Sequence, residues 1–69
     1  MTDHYESLGV ARSAPPEVIR AAWRALAQLH HPDRNKSPEA TETFKRLQKA
    51  YQVLSDPTAR VAYDQELRV

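Results

Sequence analysis

Hydrophobic residues in the middle of the chain recur at helical spacing. The apolar positions follow the i, i+3, i+4, i+7 pattern of one buried stripe, which comprises Ile19, Ala22, Trp23, Leu26 and His30. Pro32 has no backbone N–H, and its ring disfavours the helical conformation for His31. The pattern therefore predicts a helix from about Pro16 to His30.

A second apolar series predicts a partner for this helix. Ser37 is a typical N-cap, and Pro38 suits the first helical position. From there apolar residues recur at spacings of four, three, four and three, namely Ala40, Phe44, Leu47, Tyr51 and Leu54. This seam favours antiparallel packing of the two helices. Replacing Phe44 or Leu47 by Ala is expected to cost about 2–5 kcal/mol of stability.

Two shorter helices are predicted at the ends of the chain. Asp3 can cap a helix from His4 to Leu8, which Gly9 would end in the left-handed conformation. Tyr5 and Leu8 share one face of it and should pack on the hairpin, together with Val10. We expect this helix to lie near the end of the hairpin opposite its connecting loop.

The last predicted helix begins with a cap and a proline at Asp56 and Pro57 and continues through Leu67. Arg60 and Asp64 lie four residues apart on it, so we expect them to pair on its exposed side. The basic residues of the third helix, Lys45, Arg46 and Lys49, lie off the apolar seam and should form a solvated surface. The whole pattern predicts an all-α domain of four helices.

The loop between the second and third helices is the first place to look for function. Residues 29–36 read Leu-His-His-Pro-Asp-Arg-Asn-Lys, so the tip of the hairpin is polar and contributes little to a core. Arg20, Arg24 and Gln28 form a row along the second helix that points toward this loop. His30 and Trp23 are better explained as packing residues of the hairpin.

Composition narrows the class of protein. The 69 residues make one small domain, and without cysteines neither a disulfide framework nor Cys-ligated zinc is available. Ten Lys and Arg against nine Asp and Glu give a net charge of +1, too balanced to indicate nucleic acid by itself. There is no apolar run of membrane-spanning length and no signal peptide, so we expect a cytoplasmic protein without membrane contact.

With these features the chain resembles the J domain of DnaJ-type co-chaperones. The resemblance extends over nearly the whole chain, and the matching segments are residues 5–10, 19–27, 31–35, 44–45, 50–57 and 60–64. A lone His-Pro-Asp tripeptide is a weak signal. At the tip of a helical hairpin, followed by Ala-Tyr-Gln-Val-Leu-Ser-Asp-Pro, it is specific. The resemblance implies that residues 1–69 are a J domain, and we expect it to be the N-terminal part of a longer protein.

The resemblance implies a co-chaperone, not an enzyme, and we expect neither a cofactor nor a metal. Such a domain binds a DnaK-type (heat shock 70 kDa) chaperone in its ATP-bound state and stimulates ATP hydrolysis, which couples that partner to client binding and protein folding. Clients would be bound by other domains. The partner-binding residues implied are His31, Pro32 and Asp33 at the tip, Arg20 and Arg24 on the second helix, and Arg34, Asn35 and Lys36 beside the tip.

Several positions depart from the family pattern. Ala21, Ala25 and Leu29 stand where a basic residue is common, and Trp23 and His30 stand where Tyr is usual. Fewer positive charges predict weaker electrostatic steering toward an acidic partner. A domain that binds such a partner without activating it is therefore one alternative.

Three other interpretations of the same residues remain. The tripeptide can serve as a helix-stop turn, in which Asp33 caps backbone N–H groups and His31 interacts with the carbonyl end of the helix. His30, His31 and Asp33 could be drawn as metal ligands or a catalytic pair, but adjacent histidines diverge and no third ligand or nucleophile is near. Nucleic-acid binding through the basic residues is disfavoured by the near-neutral charge.

Overall fold

The computed structural model describes residues 3–67, which form four α-helices and no strand. They are α1 (His4–Leu8), α2 (Pro16–His30), α3 (Pro38–Ser55) and α4 (Pro57–Leu67). The predicted all-α class and the predicted bounds of α1, α2 and α4 are confirmed. Residues 1–2 and 68–69 of the predicted domain lie outside the described residues. None of the helices in the described part of the chain is long and apolar enough to cross a membrane.

Short polar signals set the helix ends. The Asp3 carboxylate accepts a hydrogen bond from the Glu6 backbone N–H at 2.8 Å, and this bond lowers the pKa of Asp3 below its ordinary value. Gly9 ends α1 with φ of 68°, a left-handed conformation that glycine adopts without a steric penalty. Ser37 accepts from the Ala40 N–H at 3.2 Å to start α3. These caps are the ones that the sequence predicts.

The core lies at the end of the hairpin away from the tip. Its buried residues come from α1, the start of α2, the C-terminal half of α3 and the linker after α1: Tyr5, Leu8, Ala14, Ile19, Leu47, Ala50 and Leu54. The α1 and α4 helices both pack against α3, as predicted. Along the predicted seam of α3, Ala40, Leu47 and Leu54 are buried, whereas Phe44 and Tyr51 are half-buried.

Toward the tip the core gives way to a row of aromatic rings. Trp23 stacks on Tyr51, with ring centroids 5.3 Å apart, and packs against Phe44 at 5.6 Å. Phe44 in turn meets the edge of the His31 ring at 5.5 Å. The hydrophobic seam between α2 and α3 thus reaches the loop and supports its first residue.

The predicted pairing of Arg60 with Asp64 on the exposed side of α4 is wrong. Both side chains turn inward and meet at the Tyr5 hydroxyl, which donates to the Asp64 carboxylate and accepts from Arg60 Nε at 3.1 Å. Tyr5 is almost completely buried, and its hydroxyl requires polar partners there. Burial, together with the Asp64 carboxylate, raises the pKa of Tyr5. Arg60 also donates to the Ala14 carbonyl at 2.7 Å, which ties α4 to the linker after α1.

Candidate functional site

The tip of the hairpin is a tight, internally bonded turn. Helix α2 ends because His31, the residue before Pro32, is extended, with φ of −62° and ψ of 135°. The backbone N–H groups of Arg34 and Asn35 both donate to the His31 carbonyl at 2.9 Å. The backbone of the tip is therefore held in one conformation although the loop faces solvent.

The side chains of the tip do not take the roles described for a helix-stop turn. His31 Nδ1 accepts a hydrogen bond from the Asp33 N–H at 3.1 Å, so the imidazole, and not the Asp33 carboxylate, caps a backbone N–H here. The carbonyl end of α2 is contacted by Arg34, whose guanidinium lies 3.5 Å from the Gln28 oxygen. The alternative interpretation, in which Asp33 caps N–H groups and His31 contacts the helix carbonyls, is thus wrong in these contacts.

The Asp33 carboxylate is left facing solvent. Its side chain is 91% exposed, and Oδ2 lies 3.8 Å from His31 Nδ1. This distance is too long for a hydrogen bond. The tip therefore combines a hydrogen-bonded backbone with a carboxylate that accepts no hydrogen bond within residues 3–67.

The remaining residues predicted at the tip differ in their surroundings. Asn35 Oδ1 accepts from the Ser37 N–H at 3.2 Å, so this amide oxygen serves the entry to α3. Pro32 is half-buried, whereas Arg34 and Lys36 are exposed. The loop itself thus presents two exposed cations.

A shallow groove of about 420 Å³ joins the tip to α2. Its lining combines tip residues with one side of the helix: Trp23, Arg24, Ala27, Gln28, His31, Asp33 and Arg34. Four predicted site residues thus lie together around one depression, while Arg20, Pro32, Asn35 and Lys36 lie outside its lining. The floor contributed by Trp23, Ala27 and Gln28 was not predicted as part of the site. Helical spacing could have indicated them, because Ala27 lies four residues after Trp23 and Gln28 lies four residues after Arg24.

The two arginines of α2 have free guanidinium groups. Arg20 and Arg24 are exposed, and no ion pair within residues 3–67 involves either of them. On α3, Lys45, Arg46 and Lys49 are also exposed, as predicted, and Lys45 lies 3.8 Å from Glu42. The α2 cations differ from the α3 cations in lying on the helix that leads into the tip.

The described residues offer no arrangement for metal chemistry. Residues 3–67 contain no group of three or more His, Cys, Asp or Glu side chains placed to hold one ion. The tip and the groove offer a partner an exposed carboxylate, an imidazole N–H, cations and an apolar floor.

Comparison with known proteins places the chain in a family. The family model described as the DnaJ domain matches residues 3–64. The chain belongs to the DnaJ domain family. Chaperone protein DnaJ of Carboxydothermus hydrogenoformans is 58% identical over 64 residues, and that of Ureaplasma parvum is 59% identical over 63 residues. Each alignment covers 91% of this chain but only 17% and 16% of the relative, so this J domain corresponds to a small part of those proteins.

A solved structure shows the same fold. The crystal structure of the J-Trx1 fragment of ERdj5 matches this J domain with a TM-score of 0.89 and 38% identity, over 94% of this chain and 32% of that one. The four-helix arrangement predicted from the resemblance is therefore confirmed. The chain is a J domain of a co-chaperone family, and that family is not one of enzymes.

Proposed function

We propose that this J domain binds a DnaK-type (heat shock 70 kDa) chaperone in its ATP-bound state and stimulates ATP hydrolysis by that partner. Stimulated hydrolysis would couple the partner to client binding and protein folding in the cytoplasm. Clients themselves would be bound by other parts of a longer protein. The observation that carries the proposal is the Asp33 carboxylate, which is 91% exposed on a turn whose backbone is fixed.

A rigid turn with an unused carboxylate suits recognition of one state of a partner. Because the backbone of residues 31–35 is already hydrogen-bonded, little conformational entropy is lost when the tip is bound. The carboxylate can accept charge-assisted hydrogen bonds from a cationic partner group without first breaking an internal bond. We assign activation to His31, Pro32 and Asp33 on these grounds.

Docking is assigned to the basic residues beside the tip. Arg20 and Arg24 are exposed and unpaired within the described chain, and Arg34 and Lys36 extend the positive surface. Exposed cations of this kind accelerate encounter with an acidic surface and lose that effect as salt is added. Asn35 contributes through its hydrogen bond to the start of α3, which holds the loop in place. The complex should be transient and salt-sensitive.

The test is the affinity of a bacterial DnaK-type chaperone for the domain, measured with ATP and with ADP at low and moderate salt. The parent should bind the ATP state more tightly, and added salt should weaken this binding. A double variant Arg20→Ala, Arg24→Ala should bind more weakly at low salt and show a smaller salt dependence.

The matched control is Lys45→Ala, Lys49→Ala, which also removes two cations four residues apart from one exposed helix face. This variant should bind like the parent. Equal losses in the two double variants would mean that net charge alone drives binding and would contradict the assignment to α2. Equal affinity of the parent for the ATP and ADP states would contradict state-specific recognition.

A further inference from the structure

Helix α2 carries an apolar stripe on its exposed side. Val18 and Leu29 are 46% and 63% exposed, and they are two of the three exposed large hydrophobic side chains within residues 3–67. With the half-buried Ala22 and the exposed Ala25, they recur at spacings of four, three and four residues. At about 100° per residue, the four side chains fall within about 60° of one another around the helix. Single exposed hydrophobic residues are ordinary on a surface, whereas a continuous stripe indicates a contact.

The two arginines of α2 lie on the other shoulder of the same exposed side. Arg20 and Arg24 are centred about 140° around the helix from the apolar stripe, and the exposed Ala21 and Gln28 lie between the two rows. No ion pair within residues 3–67 involves either arginine. The exposed side of α2 is therefore a ridge with positive charge on one shoulder and hydrocarbon on the other.

The small size of the apolar stripe indicates that it shares its partner with the arginines. Four side chains of one helix offer far less than the roughly 800 Å² per partner that a specific interface buries. The stripe can therefore contribute only as part of a larger contact. The surface that adjoins it is the docking surface assigned to Arg20 and Arg24, and a partner that covers the ridge of α2 meets both shoulders at once.

We propose that α2 docks lengthwise in a groove of the DnaK-type partner that has carboxylates on one wall and apolar side chains on the other. This inference rests on the proposed function and names the chemistry of the partner's surface. The carboxylates face Arg20 and Arg24, and the apolar wall covers Val18, Ala25 and Leu29. The charges speed the encounter, and the buried hydrocarbon adds affinity that salt does not screen. Among several DnaK-type chaperones, the domain selects one with such a groove.

Two substitutions on the apolar stripe, Val18→Gln and Leu29→Gln, test this docking. The two positions lie about 16 Å apart along α2, so an effect at both does not come from a disturbance of the tip alone. The matched control is Val61→Gln, which makes the same kind of change at a side chain that is 57% exposed on α4. Because all three side chains are exposed, circular dichroism melts should show that the variants stay folded.

The experiment measures the affinity of each labelled domain, by fluorescence anisotropy, for every purified DnaK-type chaperone of the same organism with ATP. With the chaperone that binds the parent most tightly, Leu29→Gln should weaken binding about tenfold and Val18→Gln about fivefold. Both losses should be the same at low and moderate salt, because burial of hydrocarbon is not screened. The Val61→Gln control should bind like the parent.

The possible outcomes separate this inference from the proposed function. If the parent binds and either stripe variant binds equally well, or if the losses disappear at moderate salt, the inference is wrong and the proposed function stands. If the parent binds none of the chaperones, both are wrong. Sedimentation equilibrium of the domain alone should show a monomer. A dimer that Leu29→Gln abolishes would assign the apolar stripe to a second copy and overturn the inference.

Discussion

His4 links the first helix to the last through its ring and its backbone. The ring stacks on Tyr63 with centroids 4.5 Å apart, and the His4 N–H donates to the Tyr63 hydroxyl at 2.8 Å. Partial burial, assisted by the positive charge of Lys49, lowers the pKa of His4 below the ordinary value of 6.5. A lowered pKa means that the folded state resists protonation more than the unfolded chain does.

The sign of the resulting pH dependence follows directly. The contribution of His4 is fully present above the unfolded pKa of about 6.5 and is lost as the pH falls toward the lower pKa of the folded state. We expect His4→Phe, which keeps an aromatic ring on Tyr63, to lose less stability over this range than the parent. Urea denaturation of the two proteins between about pH 7.5 and pH 5.5 measures the difference. Parallel stability curves for the two proteins would contradict the assigned pKa direction.

At the scale of the helices, α3 contributes more buried residues to the described structure than any other helix. Leu47 is 3% exposed at the middle of this helix, so Leu47→Ala should lower the free energy of unfolding by about 2–5 kcal/mol. Val61 on α4 is 57% exposed, and Val61→Ala should leave stability within about 0.5 kcal/mol of the parent. Chemical denaturation measures the free energy of unfolding of both variants and of the parent. A loss below about 1 kcal/mol for Leu47→Ala would mean that the hairpin is not packed through this residue.

Helix α4 is fastened to the rest of the domain by polar contacts as well as by the partly buried Tyr63 and Leu67. It has no buried residue, whereas Arg60 joins it to the Tyr5 hydroxyl and to the Ala14 carbonyl. Arg60→Met keeps the apolar stem and leaves both partners without their donor, so it should cost about 1–3 kcal/mol. Arg46→Met, at an exposed position of α3, is the matched control and should be nearly neutral. Equal melting temperatures for the two variants would show that these hydrogen bonds add nothing to stability.

The helix bounds could be predicted because their signals are local. Pro16, Pro38 and Pro57 each stand at the first position of a helix, and Gly9 ends α1. The burial of Ala14 and the inward turn of Arg60 were missed. They depend on contacts between residues about 50 positions apart, such as Arg60 with Ala14 and with Tyr5. The spacing of residues within one helix does not predict such contacts.

The candidate site was predictable in position but not in detail. A polar stretch with Pro32 between two periodic helices indicates an exposed tip, and the exposed row of Arg20 and Arg24 follows from helical spacing. Which side chain of the tip bonds to which backbone group depends on φ and ψ of three or four residues. That is why the helix-stop interpretation gave the capping role to Asp33 and did not foresee the contact of Arg34 with the carbonyl end of α2.

Over the whole molecule, the buried core and the proposed recognition site lie at opposite ends of the hairpin. The helix rises about 1.5 Å per residue, so Ile19 in the core and His31 at the tip lie about 18 Å apart along α2. The described residues measure 36 by 24 by 17 Å, an elongated shape for so small a core. Changes at the tip should therefore affect the partner far more than they affect the fold.

Single-turnover ATP hydrolysis by a bacterial DnaK-type chaperone tests the central claim most directly. The assay compares the parent domain with Asp33→Asn, which keeps the size of the side chain and removes the exposed charge. Circular dichroism melts should show equal stability, because the Asp33 carboxylate supports no internal hydrogen bond in the described structure. We predict that the parent accelerates hydrolysis and that the Asp33→Asn variant does not. Equal acceleration by both proteins, or none by the folded parent, would contradict the account.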